Sequence, residues 1–184
     1  MKQTAQDYFV RGLQFCQDSK FDQAVKVLGQ AIELEPTHLD ALYNRAKAYF
    51  KLNSFDLAIK DFTQLIELQP ANAFYYSERG VAYHLAKERS TALQDLDKAV
   101  ELEPRKAFRY ACRAFIKDHY GDLNGALQDF EKAIELDPDD AISHNNKGLV
   151  EEKLGYKERS QKSFKKADDL DPLYDEKKIK PDAD

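Results

Sequence analysis

Few residues in this chain could do chemistry, and they are scattered. His84, Asp118, His119 and Glu152 could ligate a metal or trade protons, and Cys16 and Cys112 could carry thiolates. A metal site needs donors converging within about 2.0–2.2 Å of one ion. A reactive thiol needs a cationic neighbour that lowers its pKa. The chain contains no His-Glu-x-x-His, no paired-cysteine motif and no glycine-rich phosphate loop. Two cysteines far apart in sequence make no disulfide framework and read as small apolar filler. His38 reads as a loop residue and His144 as a packing residue. The expectation is a protein that is not an enzyme, with no catalytic residue, no cofactor and no metal.

Charge narrows the classes further. The net charge is −5, from 28 basic and 33 acidic residues interleaved along 184 positions. No basic stripe stands out, which argues against a nucleic-acid binder. No apolar stretch reaches the length a membrane span requires. The start, Met1 to Asp7, carries no apolar run, so no signal peptide is expected. These points predict a soluble protein with reduced thiols in the cytoplasm.

The elements that hold these side chains follow from one spacing. Ala133-Ile134-Glu135-Leu136-Asp137-Pro138 has close copies on either side, so that prolines stand at Pro36, Pro70, Pro104, Pro138 and Pro172, each 34 residues from the next. A strict period of this length marks a stacked repeat array. Within one period the apolar spacing is helical twice. Tyr110, Ala114 and Phe115 lie on a first helix, and Leu123, Ala126, Leu127, Phe130, Ala133 and Ile134 on a second. Gly121 breaks the chain between them, and Pro138 stops the second helix. Repeats are therefore expected at 5–38, 39–72, 73–106, 107–140 and 141–174, forming one array, with a short charged tail at 175–184.

Two columns stay small throughout. One is Gly12, Ala46, Gly80, Ala114 and Gly148; the other is Ala24, Ala58, Ala92, Ala126 and Ser160. Small side chains there let paired helices approach, and a bulky one would overpack the contact. At the first repeat the inter-repeat columns turn polar, at Asp7, Gln14 and Asp18. At the fifth they turn polar again, at Gln161 and Asp168, beside Lys162, Lys165 and Lys166. Both ends are predicted to be capped for water.

The pattern resembles the tetratricopeptide repeat family, seen in the third unit as Tyr76, Arg79, Gly80, Tyr83, Ala92, Leu96 and Pro104. The family's leucine is replaced by Arg11, Arg45, Arg79, Arg113 and Lys147. The aromatic column holds at Phe15, Tyr49 and Tyr83 but fails at Lys117 and Glu151, which makes the last two units less regular. The resemblance implies an all-α, right-handed solenoid of antiparallel helix pairs that works as a protein-interaction scaffold.

The resemblance also implies a concave groove lined by the first helices. Its candidate partner-binding residues are Phe9, Leu13, Tyr43, Asn44, Lys47, Phe74, Val81, Phe108, Phe115, Ile142, Asn146 and Leu149. Asn145, on a neighbouring column, falls in the same lining. Family members that clamp chaperone carboxylates use a lysine, two asparagines, a lysine and an arginine. Across units one to three only Asn44 matches, with Phe9, Leu13, Phe74 and Glu78 in the other places. The expected partner is thus an apolar segment of a protein or peptide, with Asn44 and Asn146 as backbone hydrogen-bonders. Phe74, Phe108 and Ile142 share one column and Val81, Phe115 and Leu149 another, predicting an apolar strip. The alternative is self-association into a homodimer through the first repeat or the tail.

Overall fold

The computed structural model describes residues 3–171; expectations for the tail at 175–184 lie outside them. Among the described residues there are ten helices and no strand. They are α1 (Ala5–Gln17), α2 (Phe21–Leu34), α3 (Leu39–Lys51), α4 (Phe55–Leu68), α5 (Ala73–Leu85), α6 (Arg89–Leu102), α7 (Ala107–His119), α8 (Leu123–Leu136), α9 (Ala141–Lys153) and α10 (Lys157–Leu170). First helices begin at 5, 39, 73, 107 and 141, so the sequence period sets the structural one. The fold class is all-α, built of helix pairs.

The turn inside each pair needs one residue with positive φ. That residue is Ser19, Asn53, Lys87, Gly121 or Gly155. Glycine takes this conformation without steric cost and asparagine tolerates it, so Gly121, Gly155 and Asn53 fit while Ser19 and Lys87 are strained. Connections this short leave consecutive helices antiparallel. Each second helix ends just short of the residue that precedes proline, as at Leu34-Glu35-Pro36, where the ring would disfavour helical backbone.

The chain forms two compact units, divided after Leu102. In the first, α1 to α6 pack each on the next, and α1 also touches α3. Its core is Leu28, Leu42, Phe62 and Leu65, with Ala24, Ala46 and Ala58 at the close contacts. In the second, α7 to α10 pack in the same sequence, and α7 touches α9. Phe130, Leu127 and Val150 lie at its centre beside Ala114 and Ala126.

Atomic contacts explain the small columns. A Cβ added to Gly12 would lie 2.5 Å from Leu28 Cδ2, and one on Gly148 would lie 2.6 Å from Phe164. On Gly80 it would meet Leu96 Cγ at 3.0 Å and the Ala92 carbonyl oxygen at 3.1 Å. The polar ends are also visible. Thr4 and Asp7 close a capping box at the start of α1, and Gln14 donates to Asp18. On α10, Gln161, Lys162, Lys165 and Lys166 face solvent.

Candidate functional site

The arginine column is part of the scaffold. Arg45 Nε and Nη2 donate to Asp61 at 2.8 and 2.6 Å, Arg79 to Asp95 at 2.7 and 2.8 Å, and Arg113 to Asp129 at 2.8 and 2.7 Å. The three aspartates are buried, and each pair joins the two helices of one repeat. Arg79 also lies over Tyr76 and Tyr83 and donates to Thr63 Oγ1 of α4. Its guanidinium is held above its ordinary value, chiefly by the Asp95 hydrogen bonds. Burial pushes the Asp61 carboxyl up from its ordinary value, against the opposing pull of Arg45.

Read in sequence, these arginines are departures from the family pattern, and their partners go unnoticed. The signal is nevertheless present: Asp61, Asp95 and Asp129 recur at 34 residues, each 16 after its arginine, inside otherwise apolar helix faces. The failures of the aromatic column have the same explanation. Lys117 pairs with Asp129 at 2.8 Å. Glu151 is fully buried and accepts hydrogen bonds from Arg159 Nε and Ser163 Oγ. The last two units are thus regular in helix length and spacing, with ion pairs standing where aromatics stood.

The proposed groove residues fall into two groups. In the first unit, Phe9, Leu13, Tyr43, Phe74 and Val81 are half-buried. Phe9 stacks on His38 at 4.8 Å, and Tyr43 packs on Phe62 and Phe74 at 6.3 and 5.6 Å. The Phe9–Tyr43 column therefore turns toward the core, and its later members Ser77 and Asn145 are buried outright. Asn145 is a correction to the expected lining. In the second unit, Phe108, Phe115, Ile142 and Leu149 remain 62, 51, 57 and 42% exposed. Phe108 and Phe115 stand seven residues apart on α7, as do Ile142 and Leu149 on α9, so each pair shares a helix face.

Polar groups on these columns are mostly paired. Lys47 bonds Glu78 at 3.3 Å between α3 and α5. Lys153 bonds both oxygens of Asp118 at 2.7 Å between α9 and α7. Asn44 donates its amide to the Asp40 carbonyl oxygen at 2.7 Å, whereas half-buried Asn146 makes no side-chain hydrogen bond among the described residues.

Among the described residues, no group of three His, Cys, Asp or Glu side chains is brought together to hold a metal. Asp118 is taken by Lys153, and His119 lies against Phe115 at 6.0 Å. Burial pushes the Cys16 thiol up, the wrong direction for a nucleophile. His38 caps α3 by accepting from Ala41 N–H. His144 is buried and donates from Nε2 to the Pro138 carbonyl oxygen at 3.0 Å. No helix among the described residues is long and apolar enough to cross a membrane.

A TPR repeat model matches residues 12–53 and 120–155, and two tetratricopeptide repeat models match 39–72 and 141–172. No curated protein matches the chain in sequence. Among solved structures, MamA 41-end from Desulfovibrio magneticus RS-1 is 20% identical, with TM-score 0.81, covering 95% of this chain and 99% of that one. YrrB, described as a TPR protein with an unusual peptide-binding site, is 21% identical, with TM-score 0.68 and coverage of 94 and 92%. TTC0263, a thermophilic TPR protein from Thermus thermophilus, is 20% identical, with TM-score 0.71 and 92% coverage of both chains. At this identity the likeness to solved structures carries the fold alone. The repeat models, which together span more than half of the sequence, fix the family: the chain belongs to the tetratricopeptide repeats.

Proposed function

We propose that this chain is a non-catalytic protein-interaction module that captures a partner segment on the face formed by α7 and α9. The observation that carries the reading is the exposure of Phe108, Phe115, Ile142 and Leu149 on two touching helices. Large apolar side chains grouped on one face mark interaction sites. The nearby Asp118–Lys153 pair leaves this face without excess charge, which suits an apolar partner segment. Asn146 offers an unused amide to the partner's backbone. The peptide-binding site of YrrB, a TPR protein of similar fold, supports the same reading.

The magnitude constrains the partner. About half of each side chain remains to be covered, so each contributes on the order of 1 kcal/mol, or about 4 kcal/mol together. Alone that reaches only about millimolar affinity, before association costs. A partner held more tightly must touch further groups.

The test is affinity capture from the source organism's extract with wild type, Phe108→Glu/Ile142→Glu, and a control pair, Leu34→Glu/Leu57→Glu. The control residues are exposed on α2 and α4. Capture lost only in the first pair, with all three melting temperatures alike, is the expected result. Phe74 is left intact because it packs on Tyr43. Equal capture by all three proteins would overturn the reading. Light scattering across a dilution series separates partner capture from self-association.

A further inference from the structure

The fifth repeat departs from the charge pattern of the fourth. There, Arg113 and Lys117 share the buried Asp129. In the fifth, the corresponding positions are Lys147, Glu151 and Ser163. The single carboxylate is fully buried and saturated. Glu151 Oε1 accepts from Arg159 Nε at 3.1 Å and lies 3.8 Å from Lys147 Nζ, while Oε2 accepts from Ser163 Oγ at 2.7 Å.

Beside it stand further cations. Lys162 and Lys166 are four residues apart on α10, hence on one face, and neither pairs with a carboxylate among the described residues. With His144, Lys147, Arg159 and the buried Glu151 they rim an open pocket of about 280 Å³ between α9 and α10. Like charges four apart on a helix repel weakly, a small cost that an anion bound between them would remove. The protein as a whole is acidic, at −5, so this local excess is not a general property of its surface.

We propose that this pocket is an oxyanion-binding site. It takes a phosphoryl or carboxylate group, with Lys162, Lys166 and Lys147 as donors. The pocket is larger than a lone oxyanion, leaving space for the side chain that would carry one. Glu151 is countered chiefly by Arg159, which also pairs with Glu131, while Lys147, at 3.8 Å, would divide its charge between Glu151 and the incoming oxyanion. The site is separate from the apolar face of α7 and α9 and does not depend on it.

Amide NMR spectra of the full chain are recorded at constant ionic strength during titration with inorganic phosphate, with a phosphoserine peptide, and with the same peptide carrying glutamate. Saturable shifts in α9 and α10 are expected for at least one of the three. The responding arm distinguishes free phosphate, a phosphorylated partner and an acidic one. Lys162→Ala/Lys166→Ala should weaken that binding at least tenfold. Lys157→Ala/Lys165→Ala carries the same charge change away from the pocket and should stay within twofold. All four lysines are exposed on α10, and thermal melts check that both variants remain folded. Shifts that grow linearly without saturating, or an equal loss in the two variants, would overturn the proposal.

Discussion

Removing Asp95 tests how the repeats are held together. Asp95→Ala deletes both acceptors of the Arg79 guanidinium, at 2.7 and 2.8 Å. It leaves one hydrogen bond, to Thr63 Oγ1 at 3.1 Å, and the faces of Tyr76 and Tyr83. Breaking a buried pair from one side costs about 3–5 kcal/mol, because a charge stays behind without its partner. The tyrosines and Thr63 retain part of the stabilisation, which places the expected loss near the lower bound, about 3 kcal/mol. Replacing both partners, as Arg79→Met/Asp95→Leu, removes the stranded charge and should recover all but about 1 kcal/mol. Urea titration followed by helical circular dichroism reads both values, provided the slope is unchanged. A loss under about 1 kcal/mol for Asp95→Ala, or a double variant worse than the single one, would refute the reasoning and make the pair an exposed ornament.

Further expectations are each tied to one contact. Lys87→Gly should stabilise by about 0.5–1 kcal/mol in the same titration, since relief at φ 67° exceeds the entropy glycine adds to the unfolded chain; a destabilised variant would contradict this. Ala92→Leu inserts bulk where α5 and α6 approach through Gly80 and should cost roughly 1–3 kcal/mol; an unchanged midpoint would exclude the contact. Asp7 is held below its ordinary value by the Thr4 backbone and side-chain hydrogen bonds. Its folded pKa is lower than its unfolded one, so its contribution is present above about pH 3.9 and is lost as pH falls through the depressed value. The stability gap between wild type and Asp7→Asn should therefore close on acidification, and a gap constant from about pH 5 downward would show that the capping box does not titrate this way.

Much of the architecture was legible because its causes repeat. Proline at 36, 70, 104 and 138 blocks helix continuation, and the glycine and alanine columns sit where backbone meets Leu28, Leu96 or Phe164. The buried ion pairs are hidden by the family pattern, which has a leucine where each arginine stands; their signal is the aspartate 16 residues later. The proposed binding face was legible only in part. Membership of a column does not fix exposure: Phe74 leans on Tyr43, while Phe108 and Ile142 on the same column stand free. What decides is the side chain opposite, which a one-dimensional pattern does not contain. The column of Phe9, Tyr43 and Asn145 fits the expected lining by spacing, yet packing half-buries its first two members and buries the third.

The central claim, partner capture on the face of α7 and α9, is tested most directly by hydrogen–deuterium exchange. The full chain would be followed alone and with its captured partner. Added protection in residues 107–119 and 141–153, with α2 and α4 unchanged, is the predicted result. Protection confined to the second helices, with α7 and α9 exchanging as in the free protein, would contradict it.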